Sequence, residues 1–90
     1  MINTFMINIK FVTVPGCVHC AAAKEIFKEL ENQYPEMEIE EVDATTEKGM
    51  ELVSKHGIFA SPGIIINDEL FSTGGLNKEK FIEKLDSLKN

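Results

Sequence analysis

The chain has no tryptophan, and only two cysteines and three prolines among its 90 residues. Cys17 and Cys20 are separated by just two residues. A bridge closing so short a loop restricts the unfolded chain little, so a disulfide-stapled scaffold is excluded. Positive charge is also scarce. Nine basic residues (Lys plus Arg) stand against fifteen acidic ones, for a net charge of −6. This excludes nucleic acid and anionic membrane surfaces as general partners, and the excess acid is read as a solubility feature. Long apolar runs are missing as well. The N-terminal apolar residues are interrupted by Asn3 and Asn8, then by Lys10, and no basic segment precedes them. No signal peptide or membrane span is therefore expected, which makes a cytoplasmic location the default. There is no linker, repeat or low-complexity segment, so residues 1–90 are expected to form one domain, with residues 1–6 as a short tail.

What the chain does have is a motif in a telling place. Ile7, Ile9, Phe11, Val12 and Val14 read as a strand over Ile7–Val14, and Pro15-Gly16 turns the chain. Cys17-Val18-His19-Cys20 then opens an amphipathic stretch. A Cys-x-x-Cys at a helix start is suited to a reactive dithiol. Free backbone N–H groups and the positive end of the helix dipole favour the thiolate, which is the species that attacks disulfides.

The remaining periodicities give the architecture. Cys20, Ala23, Phe27, Leu30 and Tyr34 step by three and four, which predicts a helix over 17–33, stopped by Pro35. Residues 37–42 form a second strand whose Glu38, Glu40 and Glu41 suit an edge position. A helix between Thr45 and His56 is capped by Thr45 or Thr46 and closed by Gly57; Gly49 within it costs about 1 kcal/mol relative to Ala. His56 suits the negative end of that helix. Ile64-Ile65-Ile66 reads as a strand buried on both faces, Asn67-Asp68 as a turn, and Leu70–Thr73 as its partner. Asn77 caps a last helix with Phe81, Leu85 and Leu88 on one face, Ile82 beside them, and Leu76 stapled to Phe81. The order βαβαββα with a right-handed first crossover predicts a four-stranded mixed sheet flanked by three helices, an α/β fold.

This order, with Cys-x-x-Cys after the first strand, resembles the thioredoxin superfamily in its short glutaredoxin-like form. Pro15-Gly16-Cys17-Val18-His19-Cys20 looks especially like the small redox-active disulfide proteins of that superfamily. Ser61-Pro62 stands where the superfamily carries a cis-proline facing the dithiol, and Gly74-Gly75 stands before the last helix as in glutaredoxins. The resemblance implies a thiol–disulfide oxidoreductase without a cofactor. In it Cys17 is the exposed nucleophile, Cys20 the buried resolving thiol, and Ser61, Pro62, Gly74 and Gly75 contribute to substrate binding. The implied partners are protein disulfides and a reductase or glutathione, met by a monomer. His19 is a solvated helix residue, a donor that tunes the Cys17 thiolate or, as a third reading, a metal ligand. Gly74-Gly75 is either a plain strand terminator or a site of close backbone approach to a ligand such as glutathione.

The chain also departs from its relatives. Val-His replaces the Gly-Pro of thioredoxins and the Pro-Tyr of glutaredoxins between the cysteines. Gly16 takes the place of the thioredoxin tryptophan. The first strand offers Phe11 and Val12 where thioredoxins bury an aspartate, and Asn77 stands where glutaredoxins are acidic. The competing class is a soft-metal-binding Cys-x-x-Cys module. Such modules run βαββαβ, usually place Met close before the first cysteine, and have no place for Ser61-Pro62. A structural zinc site would need four ligands, and His19 and His56 are poor candidates to complete it. No metal is therefore expected.

Overall fold

The computed structural model of the chain describes residues 6–89. The expected N-terminal tail falls outside them, apart from Met6, which is exposed ahead of the first strand. The elements are β1 (Ile7–Thr13), α1 (Val18–Leu30), β2 (Met37–Asp43), α2 (Glu47–His56), β3 (Gly63–Ile66), β4 (Glu69–Thr73) and α3 (Lys78–Lys89). The sheet order is β2-β1-β3-β4; β1 and β2 are parallel, and the other two pairs are antiparallel. This is the expected mixed sheet, with acid-rich β2 at an edge.

Period-two alternation in β1 assigns its side chains to two cores. Ile7, Ile9 and Phe11 face α1 and α3, packing with Ala23, Phe27, Leu30, Phe81 and Leu85. Val12 turns to the opposite face, where Ile58 and Ile65 meet Leu52 and Val53 of α2. Ile64, Ile65 and Ile66 are buried on both faces because helices cover both. Full burial of each aliphatic side chain is worth roughly 1.5–3 kcal/mol.

Local chemistry sets the boundaries. Helix α1 ends at Leu30, three residues short of the expected Gln33. Gln33 and Tyr34 N–H both donate to the Leu30 carbonyl at 3.0 Å, which tightens the last turn. Tyr34 is then buried, and its hydroxyl donates to Asp86 of α3 at 2.7 Å. Asn67 and Asp68 take positive φ values of 49° and 69°, the signature of a tight hairpin turn between β3 and β4.

Gly49 reverses its sequence reading. Helix propensity makes it a weakness of α2. In the structure it is buried, and a Cβ there would overlap the carbonyl of Asp43. The close approach lets Thr46 cap α2, accepting from Gly49 N–H at 3.1 Å while its hydroxyl donates to Asp43 O at 2.7 Å. The Asp43 carboxylate in turn accepts from the hydroxyl and N–H of Thr45, and these bonds hold its pKa below the ordinary value. Gly49→Ala is therefore expected to destabilise the protein by about 1–3 kcal/mol, although propensity alone favours alanine by about 1. Urea unfolding of the variant measures the sign, and a more stable Gly49→Ala would refute the packing argument.

Candidate active site

Cys17 is the N-cap of α1, with extended backbone angles (φ −90°, ψ 114°). Gly16 precedes it at φ 73°, a conformation that glycine adopts without strain and that swings the chain from β1 into the helix. The Cys17 sulfur accepts the Cys20 N–H at 3.1 Å, as a serine or aspartate cap oxygen would. Negative charge on that sulfur is favoured there by the bond and by the helix dipole. The first turn of α1 carries no acidic residue to oppose it. Cys17 is half-buried, whereas Cys20 is only 6% exposed and belongs to the core stripe with Ala23 and Phe27. Their sulfurs are joined as a disulfide across Cα atoms 5.2 Å apart.

The loop that carries Ser61 and Pro62 leads into the strand next to β1. Val12 of β1 pairs with Gly63 of β3. The segment leading into Gly63 therefore emerges at the same sheet end as the segment running from Thr13 to Cys17. The Ser61–Pro62 peptide bond is cis, and Pro62 is fully buried. Gly74 N–H donates to both the Ala60 and Pro62 carbonyls, at 3.2 and 2.9 Å. With φ at 84°, Gly74 thus closes β4 and clasps this loop. Gly75 has open space where a side chain would be, and its carbonyl accepts from the Ser72 hydroxyl. His19 is exposed on the first turn of α1.

Beside the dithiol lies a solvent-open cavity of about 480 Å³, lined by Cys17, Cys20, Thr13, Lys24, Glu25 and Glu41 among others. The sequence reading did not single out Thr13, Lys24 or Glu41. Register alone could have brought Glu41 into view, since it lies opposite Phe11, where the first strand has no carboxylate. Phe59, 87% exposed, also went unremarked. Its signal was an aromatic residue in a loop just before Ser61-Pro62. Among the described residues, no group of three or more His, Cys, Asp or Glu is arranged to hold a metal ion.

A family model of the thioredoxin domain matches residues 7–87. A thioredoxin of Methanocaldococcus jannaschii is 34% identical over 82 residues, spanning 88% of this chain and 92% of that one. The chain belongs to the thioredoxin family. Solved structures agree at the level of the fold. A thioredoxin-like protein of Clostridium perfringens superposes with a TM-score of 0.79 at 15% identity, covering 96% of this chain and 73% of that one. Thioredoxin of Trypanosoma brucei brucei gives 0.72 at 22% identity, with 97% and 79% covered. As a family member the chain is, in general terms, a thiol–disulfide oxidoreductase with a redox-active disulfide, and Cys17–Cys20 is the disulfide its structure contains. Its βαβαββα order also separates it from the soft-metal modules considered above.

Proposed function

We propose that this protein exchanges disulfides with protein substrates, with Cys17 as the attacking thiolate and Cys20 as the resolving thiol. The observation that carries the reading is the placement of Cys17 as the helix cap, half-buried and bonded to a backbone N–H, next to a buried Cys20. Cys17 attacks a substrate disulfide and forms a mixed disulfide; Cys20 then displaces the product.

The surroundings favour a polypeptide substrate. Val18, beside Cys17, is 74% exposed, and Phe59, ahead of Pro62, is 87% exposed, so apolar surface flanks the dithiol segment and the proline loop. In the loop, the Ala60 and Pro62 carbonyls are engaged by Gly74, while Ser61 between them has no hydrogen bond among the described residues. That alternation is strand-like and leaves Ser61 to pair with an extended substrate. Gly74 acts here by holding the loop, and the reductant is a reductase or glutathione. The test is reduction of an intermolecular protein disulfide with a small dithiol supplied in excess. Catalysis above the dithiol's own rate is expected, and no acceleration would overturn the reading.

His19 adds a tuning prediction. A donor beside Cys17 favours the thiolate and so the reduced state. His19→Ala should therefore lower the reduction potential, measured by equilibration with a glutathione buffer. On that scale about 30 mV corresponds to about 1.4 kcal/mol, with reductants near −270 mV and strong oxidants near −120 mV. An unchanged potential would make His19 a solvated helix residue.

A further inference from the structure

The cavity beside the dithiol is mostly apolar, with Val14, Val18 and Ala21 in its lining next to Cys17. Charge enters the lining from Lys24, Glu25 and Glu41, so carboxylate is in excess. Glu25 is exposed on α1 and has no partner among the described residues. Glu41 Oε2 accepts from the hydroxyl of buried Thr13 at 3.4 Å, which steadies the carboxylate. Its Oε1 pairs with Lys24 Nζ at 3.2 Å, but the two side chains are 47% and 52% exposed. An ion pair so open to water is weakly held, and a competing cation can replace the Lys24 ammonium.

The wider charge distribution acts in the same direction. Residues 36–51, which include β2 and the start of α2, hold seven acidic residues and one lysine. Elsewhere in the chain acids and lysines balance, so the whole net charge of −6 lies in this segment. Strand β2 is also the sheet edge that supplies Glu41. Cations are therefore drawn to this side of the dithiol, and anions are repelled. A solvent-open cavity with apolar lining and excess carboxylate suits a long aliphatic stem that ends in a positive charge. The stem covers the valines and alanine while the head reaches a carboxylate.

We propose that this cavity is a subsite for a lysine or arginine side chain of the substrate polypeptide, adjacent to the cysteine that Cys17 attacks, with Glu25 and Glu41 receiving its charge. The proposal rests on the exchange reading above and states which polypeptides it favours. A glutamate at the same place would meet like charge, and an uncharged aliphatic chain would use the apolar lining alone, so discrimination comes from both.

The test uses short peptides whose single cysteine is disulfide-bonded to thionitrobenzoate and flanked on both sides by lysine, norleucine or glutamate. The Cys17 thiolate bonds to the peptide sulfur, the peptide–thionitrobenzoate bond breaks, and its electron pair leaves on the coloured thiolate. Each rate constant is divided by that peptide's rate with dithiothreitol, which removes the effect of the flanking charge on the disulfide itself. At low salt the native protein should rank lysine above norleucine and norleucine above glutamate. Lysine should exceed glutamate by about fivefold, the scale of an exposed ion pair. The preference should fade in about 1 M salt, where charges are screened beyond about 3 Å. Glu25→Gln and Glu41→Gln should each lower the lysine-to-glutamate ratio about twofold. Lys24→Gln should raise it about twofold, because it frees Glu41. Glu69→Gln removes the same charge from exposed β4, at the opposite edge of the sheet, and should leave the ratio unchanged.

A native ratio near one overturns the proposal, as does lysine no faster than norleucine. A ratio lowered as much by Glu69→Gln as by Glu25→Gln also overturns it, as the mark of net charge alone. So does a lower ratio in Lys24→Gln. A flat series of fast reactions sinks only the subsite. If no peptide reacts faster with the native protein than with dithiothreitol, the exchange reading itself fails and the subsite fails with it.

Discussion

Cys17→Ser should abolish disulfide exchange, whereas Cys20→Ser should still attack and then stall as a mixed disulfide with its substrate. The asymmetry follows from placement on α1. Cys17 caps the helix with its sulfur on a backbone N–H and part of its surface in solvent. Cys20, three residues on, faces inward with Ala23 and Phe27. In the reduced protein Cys17 should therefore alkylate faster than Cys20, and its thiolate should persist below the free-cysteine pKa of about 8.5. Mass spectrometry reads both results, as a covalent adduct retained by Cys20→Ser and as the order in which the native thiols are labelled. Faster labelling of Cys20 would exchange the two roles. An adduct on Cys17→Ser in place of Cys20→Ser would do the same.

The parts of the site that were legible in the sequence are those that local rules control. Cys17 at a helix start follows from a β-branched strand, a Pro-Gly turn and a stripe stepping by three and four, all between Ile7 and Tyr34. Strand β3 announced its burial through three consecutive isoleucines, and Asn77 announced α3, where its side chain accepts from Lys80 N–H at 2.9 Å. What stayed hidden depends on pairings distant in sequence. Gly49 read as a defect because propensity counts only the helix, while the carbonyl it approaches belongs to the end of β2. Glu41 read as one more acid on a wet edge strand. Its partners Thr13 and Lys24 lie 28 and 17 positions away, on β1 and α1, and only the parallel register brings them together. Gly74 was legible as a stop for β4, but its clasp on the Pro62 loop required the tertiary fold. The Ser61–Pro62 geometry came from family resemblance, because the residues alone favour trans by a wide margin.

Phe81→Ala should be the most damaging core substitution for the site, although it lies on the last helix, far along the chain from the cysteines. Phe81 is fully buried. Its ring meets Phe27 of α1 edge-on at 5.5 Å and Phe71 of β4 at 6.0 Å, and Phe27 stands edge-on to Phe11 of β1 at 4.9 Å. Phe27 is two helical turns beyond Cys20 on the same stripe, so this run of rings is what seats α1 against the sheet. Truncation should cost about 3–5 kcal/mol, a large part of the roughly 5–15 kcal/mol that holds a domain together. Urea unfolding should show a lower midpoint with an unchanged slope. With its stripe loosened, α1 should also expose Cys20. Alkylation of Cys20 in reduced Phe81→Ala should therefore speed up toward the rate of Cys17, under conditions where the variant is still folded. Phe81→Leu, which keeps most of the volume, should restore much of the stability and the protection of Cys20 together. A loss below about 1 kcal/mol, with Cys20 still protected, would mean that the aromatic run is not what seats the helix carrying the dithiol.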